Sequence, residues 1–171
     1  MKKFLLAAVS LAAFAVVITQ TAAAATPATF TLDPGTLAIS APTASVSLGE
    51  QVVSASSGTI SGQLGAVTVT DQRGGATSWV TSVIVTAFTP TTGPAVTAIP
   101  ASAVSYTVGT VTQSGVTTTK PATTDLTGVS PVVNGTSTAL SSASWDPTIS
   151  VTLPANAEPG VYSATITHSV A

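Results

Sequence analysis

Apolar residues recur at every second position along most of this sequence, and this period constrains the fold more than any other feature. Valine alternates with threonine in the run 67–70, and Ile, Val and Leu alternate with polar residues in 149–153. Successive side chains of a strand point to opposite faces of a sheet, so the period is typical of half-buried strands. No segment after residue 25 combines a helical period with caps. The sequence therefore predicts an all-β fold.

Proline and glycine mark most of the connections between these runs. About eight short strands with such turns favour one antiparallel two-sheet β-sandwich of the immunoglobulin-like, Greek-key type. Two hairpins are expected, one around the glycine loop 73–77 and one formed by 148–153 and 161–170. Residues 109–143 have weak periodicity and predict a long excursion with one or two short strands. We expect strands at 28–32, 36–40, 46–48, 67–70, 78–88, 95–99, 105–108, 148–153 and 161–170.

The N-terminus has the pattern of a bacterial signal peptide. Two lysines precede an uncharged apolar stretch, residues 4–18, and the small residues Ala23-Ala24-Ala25 follow. This stretch is shorter than the roughly 20 residues that span a bilayer, and the flanks fit an export signal. We expect a signal peptide at 1–25 and one domain at 26–171, the alternative being an uncleaved N-terminal anchor. No membrane span is expected after cleavage.

The rest of the chain carries very little charge. Charged residues make up 6% of the sequence, against about 25% in ordinary soluble domains. After residue 25 the cations are Arg73 and Lys120, against six acidic residues. Such a body has no basic patch, so nucleic acid is not an expected partner. Threonine and serine must cover the exposed strand faces, as on a protein of a cell wall, and the chain has no cysteine for disulfides.

Catalytic and metal-binding residues are poorly supplied. His168 is the single histidine, no nucleophile-elbow motif accompanies it, and we interpret it as a half-buried strand residue. The acidic residues are scattered, mostly at turns, so neither a carboxylate pair nor a metal cluster is indicated. We expect no catalytic residue, no metal and no cofactor.

Four residues are candidate ligand contacts. Trp79 and Trp145 could pack against sugar rings from the surface, or they could fill the core, as tryptophan does in many sandwiches. Trp79 shares its strand face with Val83, which favours the core. Asp71 and Arg73 could contact a wall polymer, or the arginine could hold the glycine loop through an ion pair and backbone carbonyls.

The stretch Leu64-Gly65-x-Val67-x-Val69-x-Asp71-x-Arg73-Gly74, with Trp79 and the valines after it, resembles the WxL domain of Gram-positive surface proteins. The segment from Trp145-Asp146-Pro147 to Thr167-His168-Ser169 is similar to the end of its actinobacterial members. Here Thr81 stands where the name-giving motif has leucine, and the second Trp-x-Leu is replaced around Ile166-Thr167-His168. If these motifs contact the wall, that contact is altered; if they are core, the change affects packing.

The resemblance implies a secreted, non-enzymatic protein on the bacterial cell surface that attaches non-covalently to the cell wall, with peptidoglycan or another wall polymer as its partner. The alternative is a structural or adhesive subunit that binds other surface proteins through strand edges. An extracellular hydrolase is a third reading, for which the sequence offers few acid–base candidates.

Overall fold

A computed structural model describes residues 24–122 and 126–171. Most of the predicted signal peptide, and residues 123–125 of the predicted excursion, lie outside these residues. Residues Asp33–Ala171 form one compact unit, and residues 24–32, in a separate unit, have no regular secondary structure. No helix among the described residues is long and apolar enough to cross a membrane.

Eleven strands and one 3-10 turn, Ala101–Ala103, make up the described secondary structure. The strands are β1 (Leu37–Ser40), β2 (Gly58–Gln63), β3 (Val67–Asp71), β4 (Thr77–Val85), β5 (Thr89–Thr92), β6 (Val104–Thr107), β7 (Val111–Thr119), β8 (Ser130–Trp145), β9 (Thr148–Leu153), β10 (Val161–Ser163) and β11 (Ile166–Val170).

All strand pairs are antiparallel, so the predicted all-β antiparallel class is confirmed. The main sheet has six strands, in the order β1-β3-β8-β4-β11, and β7 also pairs with β8. Two smaller sheets accompany it, β2-β9-β6 and β5-β10.

The long strand β8 organises the main sheet. Its residue Trp145 pairs with β3 on one side and β7 on the other, and Ser137 pairs with β4 and β7. β7 therefore lies along one edge of β8. β3 and β4 lie along the other edge, one after the other, and run in the same direction. The predicted hairpin around the glycine loop is wrong: residues 72–76 form a bulge opposite residues 138–140, because β3 and β4 pair with β8 and not with each other.

The main sheet bends at this bulge until it is nearly closed, like a barrel. β1 flanks β3, β11 flanks β4, and β1 and β11 have Cα atoms within 8 Å of each other. Through β3 and β4, β1 lies level with Ser141 of β8 and β11 lies level with Val133. If β8 were straight, these eight residue steps would keep β1 and β11 about 26 Å apart. Gly115 makes the bend possible in β7: its φ is +69°, and a Cβ there would lie 2.6 Å from the carbonyl oxygen of Leu140.

One hydrophobic cluster lies between the main sheet and the three-stranded sheet. The inward residues alternate with exposed or half-buried ones, as in the buried–intermediate pattern of β3. The cluster includes Val67, Val69, Trp79, Val83, Val133, Ala143 and Trp145 of the main sheet, and Val104, Tyr106, Ile149 and Val151 of the three-stranded sheet.

Several other expectations are corrected by the structure. The predicted final hairpin is wrong, because β9 pairs with β2 and β6, whereas β10 and β11 pair with β5 and β4. The region 109–143, expected to hold one or two short strands, contains β7 and most of β8, which are 9 and 16 residues long and pair as a hairpin. The expected strands at 28–32, 46–48 and 95–99 are absent among the described residues. At 95–99 only Ile99 makes an isolated bridge, to Phe88.

Candidate functional site

Asp71 and Arg73 meet at the bulge, where they form a clamp. Oδ1 of Asp71 accepts hydrogen bonds from the Arg73 backbone N–H (3.1 Å) and Nε (2.9 Å). Oδ2 accepts hydrogen bonds from Arg73 Nη2 (2.9 Å) and the Thr77 hydroxyl (2.7 Å). Arg73 Nη2 also donates to the carbonyl of Ser78 (2.9 Å), so the guanidinium joins both ends of the bulge.

The Asp71 carboxylate is buried, with 1% of the residue exposed, while a third of the arginine side chain reaches solvent. The hydrogen bonds from Arg73 hold the pKa of Asp71 well below its usual range, against the opposing effect of burial. Because Thr77 gives its proton to Asp71, the hydroxyl of Ser137, 2.9 Å away, donates to Thr77. Both carboxylate oxygens of Asp71 are therefore engaged within the protein.

Trp79 lies in the core, with 2% of the residue exposed. Its indole lies over Gly135, its cross-strand partner on β8, where a Cβ would come within 2.3 Å of Trp79 Cε2. Thr81, at the position of the motif leucine, is also buried. Neither the Trp79 indole N–H nor the Thr81 hydroxyl has a hydrogen-bond partner among the described residues. Trp79 and Thr81 are thus both part of the core.

Trp145 belongs to a hydrogen-bonded chain of three side chains. Its Nε1 donates to the hydroxyl of Tyr106 (3.1 Å), which lies 3.0 Å from Nε2 of His168. Burial raises the pKa of Tyr106 to about 12 and lowers the pKa of His168. With a neutral histidine, Tyr106 donates its proton to Nε2, so its hydroxyl both donates and accepts a hydrogen bond. These two hydrogen bonds connect β8, β6 and β11 and fix the orientation of Trp145, which is 3% exposed.

The outward side chains of β3, β8 and β7 form a surface of hydroxyl groups, which we call the hydroxyl face. The strand register aligns them in two rows, and neither row contains a charge. Neighbouring strands lie about 4.8 Å apart, and residues two apart along a strand about 6.7 Å apart, which sets the spacing of the hydroxyls. The rows are Thr68, Ser144 and Thr112, and Thr70, Ser142 and Ser114.

A groove of about 400 Å³ opens at one end of the hydroxyl face, where β8 turns into β9. Asp146 supplies its one carboxylate. Within the described residues, the side chains of Gln63, Thr112, Asp146 and Thr148 have no hydrogen-bond partner, so they can bind a ligand. The groove is lined by Gln63, Ala66, Gly109, Thr110, Thr112, Ser144, Trp145, Asp146 and Thr148.

A smaller depression of about 250 Å³ lies at the opposite end of the face, beside the bulge. Asp71 and Ser141 line it, together with Leu140, which is 64% exposed. Asp71 is committed to Arg73 and Thr77, so this depression offers a ligand mainly hydroxyl and apolar groups. The hydroxyl face therefore extends between two depressions, and only the groove carries an unpaired carboxylate among its described residues.

The structure thus brings Asp71 together with Arg73, and Trp145 together with His168 through Tyr106. Trp79 lies apart from both groups, over Gly135. Sequence reasoning placed threonine and serine on the exposed strand faces, but it did not identify Gln63 or the residues of β7 and β8 as part of a site. Their signal is the polar half of the alternating pattern, which becomes a surface only when the register of β7 and β8 is known.

No group of three or more His, Asp or Glu side chains that could hold a metal ion occurs within residues 24–122 and 126–171. Comparisons with protein-family models, with curated proteins and with solved structures gave no match to this chain.

Proposed function

We propose that this chain is a secreted, non-enzymatic module of a bacterial cell surface that attaches non-covalently to the cell wall, with peptidoglycan as the first candidate polymer. The observation that carries the proposal is the hydroxyl face, an uncharged array of Thr and Ser on adjacent strands. The leader-like N-terminus and the resemblance to WxL domains support it. The main sheet and the three-stranded sheet would form the two layers of a β-sandwich that presents this face.

Contact with the wall would depend on the hydroxyl face rather than on stacking by tryptophan. Both indoles are buried, so a sugar ring cannot pack flat against either of them. Serine and threonine hydroxyls both donate and accept hydrogen bonds, which suits the hydroxyl and amide groups of a glycan. Several hydrogen bonds along an extended polymer add up, although each one alone contributes little.

The test is co-sedimentation of the chain from residue 26 onward, which contains every described strand, with purified peptidoglycan sacculi. We expect the protein in the pellet, and we expect Thr70→Arg with Ser114→Arg, which place two long side chains on the hydroxyl face, to abolish sedimentation. Thr59→Arg, on an exposed position of β2, is the matched control and should sediment like the unmodified chain. If the unmodified chain stays in the supernatant with sacculi from several Gram-positive bacteria, the proposal is wrong.

The second candidate is an adhesive subunit that binds other surface proteins. The outer edge of β7 favours it, since β7 pairs only with β8 among the described strands and leaves backbone groups available. Gln113 occupies part of this edge, because its side-chain oxygen accepts hydrogen bonds from the Thr118 N–H and hydroxyl. A defined oligomer or a co-purified partner, without sedimentation on sacculi, would support this function instead.

A further inference from the structure

We propose that the groove beside Asp146 is a saccharide-binding site, which takes an uncharged N-acetylated sugar unit of the wall glycan. This inference rests on the proposed attachment to the wall and adds the position of the site and the chemical class of its ligand.

The size and lining of the groove fit this ligand. A volume of about 400 Å³ lies in the range of small-molecule sites, roughly 300–1,000 Å³. The carboxylate of Asp146 accepts hydrogen bonds from two sugar hydroxyls, and the Gln63 amide both donates to and accepts from an acetamido group. The hydroxyls of Thr112 and Thr148 complete a set of partners that is polar without being cationic.

The charges at the groove are one carboxylate and one ammonium group. Asp146 lines the groove and repels a phosphate or a carboxylate, while the ammonium of Lys120 donates to the carbonyl of Gly109 at the border of the groove (2.8 Å). A neutral glycan meets neither repulsion nor the need for a counter-charge. The groove also continues into the hydroxyl face through Ser144 and Thr112, so a polymer bound in the groove can extend along the strands.

The walls of the groove are held in place by the fold. The hydrogen bonds that join Trp145, Tyr106 and His168 hold Trp145 in place, directly before Asp146. On the other side, the Leu64 N–H donates to the carbonyl of Pro147 (2.9 Å), which ties the β8–β9 turn to the segment after β2. A site built on such fixed elements loses little conformational entropy on binding.

The experiment is calorimetric titration of the chain from residue 26 onward with the tetramer of N-acetylglucosamine, a neutral probe. We expect saturable binding, and we expect Asp146→Ala and Gln63→Ala each to weaken it by about tenfold, the effect of losing a hydrogen bond to a charged group or an amide. Glu50→Ala, which removes an exposed carboxylate away from the groove, should bind within about twofold of the unmodified chain. If circular dichroism shows that one of these variants has lost the fold, Thr112→Val is used in its place. This variant keeps the side-chain volume and removes a hydroxyl of the groove, so it should also weaken binding.

Sedimentation on sacculi in parallel separates the two proposals. If the chain sediments on sacculi but does not bind the tetramer at millimolar concentration, attachment to the wall stands and the saccharide site is overturned. Equal affinity of Asp146→Ala, Gln63→Ala and the unmodified chain for the tetramer also overturns the groove as the site. If the chain neither sediments nor binds the tetramer, both proposals fail.

Discussion

In this protein, single residues make the buried hydrogen bonds and ion pairs that many residues make in a more highly charged protein. Arg73 is one of two cations after residue 25. Its guanidinium binds Asp71 and the carbonyl of Ser78, and so closes the bulge. Tyr106 likewise satisfies two other side chains with one hydroxyl. Because each of these groups has few substitutes, we expect single substitutions at them to have large effects on stability.

Replacing Asp71 tests the clamp. Asp71→Ala leaves the Thr77 hydroxyl without its acceptor and releases the bulge from Arg73, so we expect the free energy of unfolding to fall by about 2 kcal/mol. Urea unfolding measures the change, with Asp33→Ala, an exposed aspartate outside the strands, as the control that should change it by less than about 0.5 kcal/mol. Equal midpoints for the two variants would contradict a stabilising role of the clamp.

His168 predicts a dependence of stability on pH. Burial lowers its pKa in the folded chain below the ordinary value of 6.5, so between the two values the unfolded chain binds more protons than the folded one. The contribution of His168 is therefore complete above pH 6.5 and is lost as the pH falls from there toward the folded pKa. Since the chain has one histidine, a decrease in unfolding free energy between pH 7.5 and 5.5 reports on this group.

His168→Gln is the matched variant for this measurement, because its side-chain oxygen can still accept the proton of Tyr106. Urea unfolding at the two pH values should show the decrease in the unmodified chain and a much smaller one in His168→Gln. An identical decrease in both proteins would place the titrating group elsewhere.

At the scale of elements, the sequence predicted strands better than their partners. Strands with a strong alternating pattern, such as β3, β4, β6 and β9, lie close to where the pattern places them. The pairing could not be predicted, because the inward positions 135, 137, 141 and 143 of β8 hold Gly, Ser, Ser and Ala, which bury little area and give a weak signal. The two expected hairpins are wrong because each assumed that consecutive strands pair, whereas β3 and β4 pair with β8, and β9 pairs with β2 and β6.

The groove and the hydroxyl face depended on the same missing information. Thr112 and Ser144 are 32 positions apart and meet only through the β7–β8 register. Asp71 and Arg73, in contrast, are two residues apart, so their contact could be anticipated from local spacing.

The fit of β4 against β8 predicts a specific steric effect. Gly135→Ala would place a Cβ 2.3 Å from the Trp79 ring, so strands or ring must move, and we expect the free energy of unfolding to fall by about 2 kcal/mol. Gly128→Ala, where a Cβ meets no atom within 4 Å, is the control. The loss should shrink when Trp79→Leu is present as well, a coupling that a double-mutant cycle in urea detects. Additive effects would mean that the contact between the ring and Gly135 is unimportant.

On the scale of the whole molecule, low charge and the hydroxyl face predict how the proposed attachment to the wall responds to salt. Contacts made by neutral groups are not screened, so we expect the fraction sedimented on sacculi to change by less than about twofold between 0.05 and 0.5 M NaCl. A basic wall-binding protein of similar size would serve as the salt-sensitive control. Release of this chain by 0.5 M NaCl would show that the few charged residues, and not the hydroxyl face, hold it to the wall.

The contact between β1 and β11 also has a kinetic consequence. These strands lie near opposite ends of the compact unit Asp33–Ala171, and both belong to the main sheet. The sheet cannot be completed until residues 166–170 have been synthesised, and most of its pairings join distant parts of the chain, which makes folding slow. If the chain is exported as proposed, slow folding would leave it unfolded for longer, as passage through a translocation channel requires.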